Sequence, residues 1–392
     1  MKASILNTGI ISAIGENTNA NLQSLLNSEA GIGTATFLKT RHTFPVGEIK
    51  KSNEELAEIG GGKASWPRTA LLSLIAAQEA WLPFSKKADG LRIAFISANT
   101  VGGMDITEEN YSAIKQNSDG EAVQNIRYHE CGAVTELVVD ALGLDCWSTT
   151  ISTACSSSAN SIMMAAKLIE TNRYDVVIAG GADSLSAFTL NGFNSLMILD
   201  KELCRPFDEN RKGLNLGEGA AYLVLGNDKA AAQLGVAPFA CISGYANAND
   251  AHHQTASSPD GTGNQLAMKQ AIAQAGIDAD KIDYINLHGT GTGNNDSSEG
   301  AAVAAIFDVV PPASSTKAFT GHTLGAAGAV EAVFATLSIR EQKAWPHLRM
   351  QDKIAALDWA PVTEIADIEI NHVLSNSFGF GGNCSSLVIS KQ

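Results

Sequence analysis

Cysteine is sparse and scattered in this chain: six residues, at 131, 146, 155, 204, 241 and 384 of 392, with no CxxC repeat. That spacing excludes a zinc ribbon or finger, and a long chain without a disulfide framework points to a reducing compartment. No cluster of Lys or Arg is present and the formal net charge is −14, which argues against nucleic acid or an anionic lipid surface as partner. Proline is limited to 10 residues, and no Pro- or Ser-rich linker divides the chain. No apolar run reaches the length of a membrane span. The opening stretch MKASILNTGIISAIG is too broken by Asn, Thr and Ser for a signal-peptide core. Together these absences predict a cytoplasmic protein.

What the chain has in quantity is apolar surface, at 45% hydrophobic and 17% charged residues, with 36 glycines. Its length suits two or three domain-sized units fused over a broad interface. Short apolar runs end in glycine at RIAFISANTVGG from Arg92, DVVIAGGADS from Asp175 and DYINLHGTGTG from Asp283. Such runs, followed by Ala-rich helical spacing, predict strands buried on both faces under a cover of helices, an α/β class. Helices are expected over 67–81, 156–171, 263–276 and 324–342. The second and fourth begin almost without charge and read as helices buried all round. ASILNTGIISAIG near the start and PFACISGYANAND from Pro238 share a strand-then-turn pattern. A duplicated molecule follows, with an N-terminal half over 1–230, a C-terminal half over 231–392 and the boundary within 226–238.

Cys155 lies in STACSSS, just before the second of these helices. An isolated cysteine in an Ala-rich segment is commonly a small buried hydrophobe. Free N–H groups at a helix N-terminus would instead lower the thiol pKa and hold an oxyanion, making Cys155 a nucleophile. Such a thiol needs a partner, and two histidines are available. His288 ends an apolar strand in NLHGTGTG; His322 opens the fourth helix, five residues after Lys317 and nine before Glu331. Either histidine alone reads equally as a satisfied core or surface residue. Lys317 reads as a solvated lysine or as the buried partner of Glu331, whose carboxylate would be costly unpaired inside an Ala-rich helix.

TACSSS with Cys155, HGTGT with His288, KAFTGHTLGAAGAVEA with Lys317, His322 and Glu331, and NSFGFGG with Phe378 and Phe380 occur in that order. RPFDENRKGLNLGEGAAYLVL (205–225) and SSPDGTG (257–263) support them. Together they resemble the β-ketoacyl-acyl-carrier-protein synthases, condensing enzymes of the thiolase-fold superfamily. The resemblance implies a five-layer α-β-α-β-α fold of two similar halves, normally dimeric. It implies that Cys155 takes an acyl chain from a carrier-protein thioester, and that His288 and His322 hold the malonyl thioester carbonyl and promote decarboxylation. The enolate then attacks the acyl carbon, giving a 3-oxoacyl product and CO2. By the same resemblance Lys317 and Glu331 set the field around His322, the backbone N–H groups of Cys155 and Phe380 form the oxyanion hole, and the Phe380 ring gates entry. Thr290 and Thr292 match the threonines that bind pantetheine. No cofactor or metal of the chain's own is implied, because phosphopantetheine is carried by the acyl carrier protein. Lys63, Arg68, Arg205 and Arg211 are candidates for docking that carrier.

Thr107 stands where the family often has a bulky pocket residue, and would lengthen the acyl channel. The chain departs from the family pattern in HGTGTGNNDSSEG, with Gly293 and Asn295, and in GGNCSS. These variants are more similar to synthases of specialised polyene or pigment pathways than to housekeeping fatty-acid enzymes. Degradative thiolases carry a second reactive cysteine near the C-terminus, but Cys384 falls after the glycine turn and reads as strand packing. Two other readings stay open: a partner subunit of a heterodimeric ketosynthase without its own condensing turnover, and a Cys-His thioester hydrolase.

Overall fold

The strand over Val176–Asp183 is buried at every residue, as its continuous apolar run predicts, and its side chains divide between two cores. Val176 and Ile178 face one hydrophobic cluster while Val177 and Ala179 face another, the period-two alternation of a strand covered on both sides. The structure, a computed structural model, describes residues 2–117 and 120–392. Its strands are β1 (Ala3–Ser12), β2 (Ile93–Ala98), β3 (Trp147–Ile151), β4 (Val176–Asp183), β5 (Gly219–Gly226) and β6 (Ala240–Asn249). They continue with β7 (Tyr284–Asn286), β8 (Ala313–Ser314), β9 (Lys343–Ala344), β10 (Ala366–Asp367), β11 (His372–Gly379) and β12 (Asn383–Lys391).

Ten of these strands form one sheet in the order β3-β2-β4-β5-β1-β6-β12-β11-β7-β8, and β9 pairs with β10 apart from it. Read outward from the middle, each side has the same plan. β1 is antiparallel to β5 and β5 to β4, while β4, β2 and β3 are parallel. Likewise β6 is antiparallel to β12 and β12 to β11, while β11, β7 and β8 are parallel. The duplication is therefore one of topology.

Three hydrophobic clusters turn this sheet into five layers. Phe95, Ile178, Tyr222 and Val224 pack with Leu71, Leu74 and Trp81 of the helix Arg68–Trp81. Leu374, Phe378 and Val388 pack with Met268 and Ile272 of Thr262–Ala275 and Val303 of Gly293–Ala304. Between the two half-sheets, Ile162 and Ala166 of Ser157–Glu170 meet Val330 and Phe334 of Ala327–Glu341, under Leu223 on one side and Leu387 on the other. The helix expected to start at 324 opens as a short tight turn, Leu324–Ala326, before becoming α-helical.

The two central helices meet at their N-terminal ends, where the Ser158 hydroxyl accepts a hydrogen bond of 2.9 Å from the Ala329 N–H. Gly328 makes that approach possible, since a Cβ there would lie 2.7 Å from Ala159 N and 2.8 Å from Ala159 Cβ. Neither atom can swing away, because both belong to a packed helix. Gly328→Ala is therefore expected to lower the unfolding free energy by about 1–3 kcal/mol, measured by urea titration. An unchanged midpoint would contradict this close packing.

Candidate active site

The chain reaches Cys155 through a left-handed turn. Ala154 has φ 54°, a conformation costly for a residue with a Cβ. Two hydrogen bonds of the Ser157 hydroxyl hold that turn: it accepts from Thr153 N–H at 2.8 Å and donates to Ala154 carbonyl at 2.6 Å. The result places Cys155 at the mouth of Ser157–Glu170, only 7% exposed. Gly379 passes so close that a Cβ on it would lie 3.2 Å from Cys155 N. This brings the Phe380 segment over the sulfur.

His322 comes from the start of the other central helix, with Nε2 3.1 Å from Cys155 Sγ. Its Nδ1 accepts a hydrogen bond of 3.1 Å from the Leu324 N–H. An amide can only donate, so Nδ1 carries no proton and the neutral ring has its N–H at Nε2. His288 is fixed in the same tautomer by a different donor. Lys317 Nζ lies 3.2 Å from His288 Nδ1, 2.6 Å from the His288 carbonyl and 2.5 Å from Glu331 Oε1. An ammonium has three donors and no acceptor, so it leaves Nδ1 of His288 as the acceptor. The two rings stand edge to face, centroids 5.4 Å apart at 87°. Ligand atoms of Cys155, His288 and His322 all fall within 4.8 Å of one another.

Burial, reinforced by the Lys317 charge, holds both imidazoles well below the ordinary histidine pKa. They are neutral donors at physiological pH. Burial also pushes the Glu331 carboxyl up to about 7 against the pull of Lys317, and Lys317 is itself only 2% exposed. The Cys155 thiol moves opposite to the expectation drawn from its helix position. Burial raises it to about 11, and the Lys317 charge with the Phe380 and Cys155 backbone N–H groups opposes this only in part.

Two cavities lead from the sulfur. One, of about 140 Å³, is lined by Thr290, Thr292, Ser257, Asn294 and Gly381. Here the Thr290 and Thr292 hydroxyls lie 3.0 Å apart. The other, of about 380 Å³, is apolar and lined by Val101, Met104, Phe188, Phe193 and Leu196. Phe380 borders both, stacked on Phe193 at 5.8 Å and 20°.

The docking cations are not a common surface, which corrects the sequence expectation. Arg68 is buried: its guanidinium forms a bidentate pair with Glu218 at 2.9 and 2.7 Å and also donates to Ile49 and Lys51 carbonyls. Arg211 is folded under the Thr292 and Gly293 carbonyls, and Arg205 pairs with Glu202 at 2.7 Å. Lys63 alone of the four is exposed, and it precedes the helix Arg68–Trp81 instead of starting it. Thr107 lines a third cavity, where its hydroxyl lies 3.1 Å from the Gly103 carbonyl and 3.0 Å from His129 Nδ1. Cys384 lies buried in β12, its thiol directed at Asn264 Oδ1.

Several residues that build the site were not singled out in the sequence. Asp183, at the end of β4, accepts from Thr100, Val101 and Gly325 N–H groups and so fastens the start of the His322 helix to the first half-sheet. Glu299 accepts from His288 and Gly289 N–H, both at 2.8 Å. Asp183 is an isolated acid in an otherwise uncharged segment, the one signal by which it stood out, whereas Glu299 shares its segment with Asp296.

The fold is that of the thiolase-fold ketosynthases. The family model for the β-ketoacyl synthase N-terminal domain matches residues 8–231 and that for the C-terminal domain residues 239–351. The chain belongs to the β-ketoacyl synthase family. It is 31% identical to a 3-oxoacyl-[acyl-carrier-protein] synthase 2 of Staphylococcus aureus, over 99% of this chain and 97% of the relative. A synthase of the same description from Coxiella burnetii is 30% identical, over 99% and 98%. Among solved structures, a ketosynthase in complex with its chain length factor from Xenorhabdus doucetiae superposes with TM-score 0.87 at 30% identity, covering 100% of this chain and 98% of the other. The ishigamide ketosynthase/chain length factor gives 0.92 at 27% identity, covering 100% and 99%.

The thiolate is the reactive form of a cysteine, and burial delays its appearance until the pH rises toward 11. Alkylation of Cys155 by iodoacetamide, followed by peptide mass mapping, should therefore accelerate steadily from neutral to strongly alkaline pH. A plateau near neutrality would show a helix-terminus thiolate instead.

Proposed function

We propose that this chain catalyses decarboxylative Claisen condensation of an acyl chain on Cys155 with a malonyl-acyl-carrier thioester. In the first half-reaction the Cys155 sulfur attacks the incoming thioester carbon. The oxyanion forms beside the Cys155 and Phe380 N–H groups, and the thiol proton passes to the departing pantetheine sulfur. His322 cannot be the base for this step, since its Nε2 already carries a proton. In the second, the malonyl C–CO2⁻ bond breaks, CO2 leaves, and the electron pair forms an enolate. Its oxygen lies between the Nε2–H groups of His288 and His322. The enolate carbon attacks the acyl carbon, the Cys155 sulfur leaves and regains a proton from solvent, and the 3-oxoacyl thioester departs on its carrier.

The observation that carries this reading is the shared tautomer. Two neutral donors aimed at one point stabilise charge that exists only after decarboxylation begins. Lys317, held by Glu331, fixes the His288 tautomer and is a positioning residue. The Thr290–Thr292 cavity fits the pantetheine arm, and the apolar cavity past Phe380 fits the acyl chain. Phosphopantetheine arrives on the carrier, so the chain needs no cofactor of its own. Lys63 is the surviving candidate for carrier docking. The halves 1–230 and 231–392 bring Cys155 and the two histidines, respectively, to their meeting point. Among the described residues no helix is long and apolar enough to cross a membrane, which accords with action in the cytoplasm.

A second reading concerns assembly. Two structural neighbours are described as ketosynthases with a chain length factor, and a pair with a related subunit would place this chain as the catalytic member, in a specialised pathway. Intact-mass measurement after incubation with an acyl-carrier thioester tests whether this chain turns over. Expected are an acyl adduct on Cys155, its discharge with CO2 release on adding malonyl-carrier, and loss of both in Cys155→Ser. An adduct that never discharges would make the chain an idle partner. Free acid without CO2 would make it a hydrolase.

A further inference from the structure

The segment that follows the helix Ala187–Ser195 presents a side chain that the chemistry at Cys155 does not use. Met197 is 88% exposed and has φ 57°, a left-handed conformation costly for a residue with a Cβ. Hydrogen bonds hold it there. Its N–H donates to the Asn194 carbonyl at 3.0 Å; just beyond, Leu214 N–H donates to the Ile198 carbonyl and Asp200 N–H to the Leu214 carbonyl, both at 2.9 Å. A lone apolar side chain in water needs no explanation, but one held there at a backbone cost does. Its place is the mouth of the active site. Phe193 and Ile198, on either side of it in the chain, line the cavity of Thr290 and Thr292, and Leu196 lines the apolar cavity.

The same segment also carries positive charge. Asn194 and Lys201 line a separate pocket of about 390 Å³ with Arg41, His42 and Thr43, and no acid lines it. Arg41 and Lys201 are exposed, and neither forms an ion pair among the described residues. The neighbouring cations Arg205 and Lys212 differ, since both lie against Glu202. On a chain of net charge −14, two free cations in one pocket reverse the local sign.

We propose that Met197, Arg41 and Lys201 form the surface on which an acidic acyl carrier protein docks, with the methionine as apolar anchor and the two cations meeting carboxylates of the carrier. This rests on the condensing reading of Cys155 and names where its partner sits. A pantetheine arm that reaches the sulfur past Ile198 and Thr290 brings the carrier against this rim, where Met197 is covered. The cations set the encounter rate and its salt dependence, and the anchor slows release. A second copy of this chain fits the patch less well. A two-fold pairing through it sets each patch against itself, Arg41 and Lys201 against their own equivalents. Lys63 does not line this pocket and serves as the comparison.

The test compares the second-order rate of Cys155 loading from decanoyl-acyl carrier protein and from decanoyl-pantetheine, by intact mass. In the double variant Arg41→Glu/Lys201→Glu and, separately, in Met197→Ser, the carrier rate should fall at least about tenfold while the pantetheine rate stays within about twofold. The ratio of the two rates within one protein cancels partial loss of folding. Raising NaCl to about 0.5 M should slow carrier loading of the unaltered protein and leave the charge-reversed one nearly unchanged. Equal loss with both thioesters, an unchanged ratio in both variants, or loss confined to Lys63→Glu would overturn the proposal. So would a change of oligomeric state in the variants by sedimentation velocity, which would make the patch an interface between copies. If neither thioester loads, the reading of Cys155 fails separately. Binding of the holo carrier to Cys155→Ala protein by biolayer interferometry then decides: weaker binding on adding either set of changes supports the surface, and equal or undetectable binding overturns it.

Discussion

Lys317 is buried among groups that take all three of its donors: the His288 ring, the His288 carbonyl and Glu331. Removing a lysine from water is expensive, and a buried ion pair is weak evidence of stability. What the pair provides is orientation. An ammonium at Nδ1 forces His288 to present Nε2–H, and the Leu324 amide imposes the same state on His322. Without these two donors the rings would be free to present a lone pair to the cavity, where an enolate oxygen would be repelled.

The fold supplies the rest through convergence. The duplicated sheet places one buried helix from each half in the middle layer, and Gly328 lets their N-terminal ends meet. One end carries Cys155, the other His322. β7 of the second half delivers His288, and β11 delivers Phe378 and the turn to Phe380. The thiol is thus enclosed by segments far apart in the chain, and its raised pKa is the consequence of that enclosure. Acyl exchange between two thiols needs no resting thiolate, because the proton of the attacking thiol can pass to the departing sulfur.

Much of this was legible in the order of residues. The central helices declared themselves by their Ala-rich, uncharged starts, and their ends agree with the expectation to within a few residues. Cys155, His288 and His322 stood in recognisable local phrases, and the Lys317–Glu331 pair followed from the cost of an isolated buried carboxylate. Other features depended on partners distant in sequence. Arg68 looks like a surface cation until Glu218, 150 residues away, closes on it. The thiol pKa was misjudged because a helix terminus is visible in sequence while the depth of burial over it is not. Asp183 and Glu299 act on backbone N–H groups, which carry no side-chain signature at all.

The central claim is that both histidines are neutral with the proton on Nε2. Nitrogen NMR of histidine-labelled protein, with the two signals assigned through His288→Asn and His322→Asn, reads this state directly. The account predicts that across pH 6 to 8, below which burial and the Lys317 charge hold both pKa values, each ring shows an unprotonated Nδ1 and a protonated Nε2. A proton on Nδ1 of either ring, or an imidazolium at neutral pH, would contradict it.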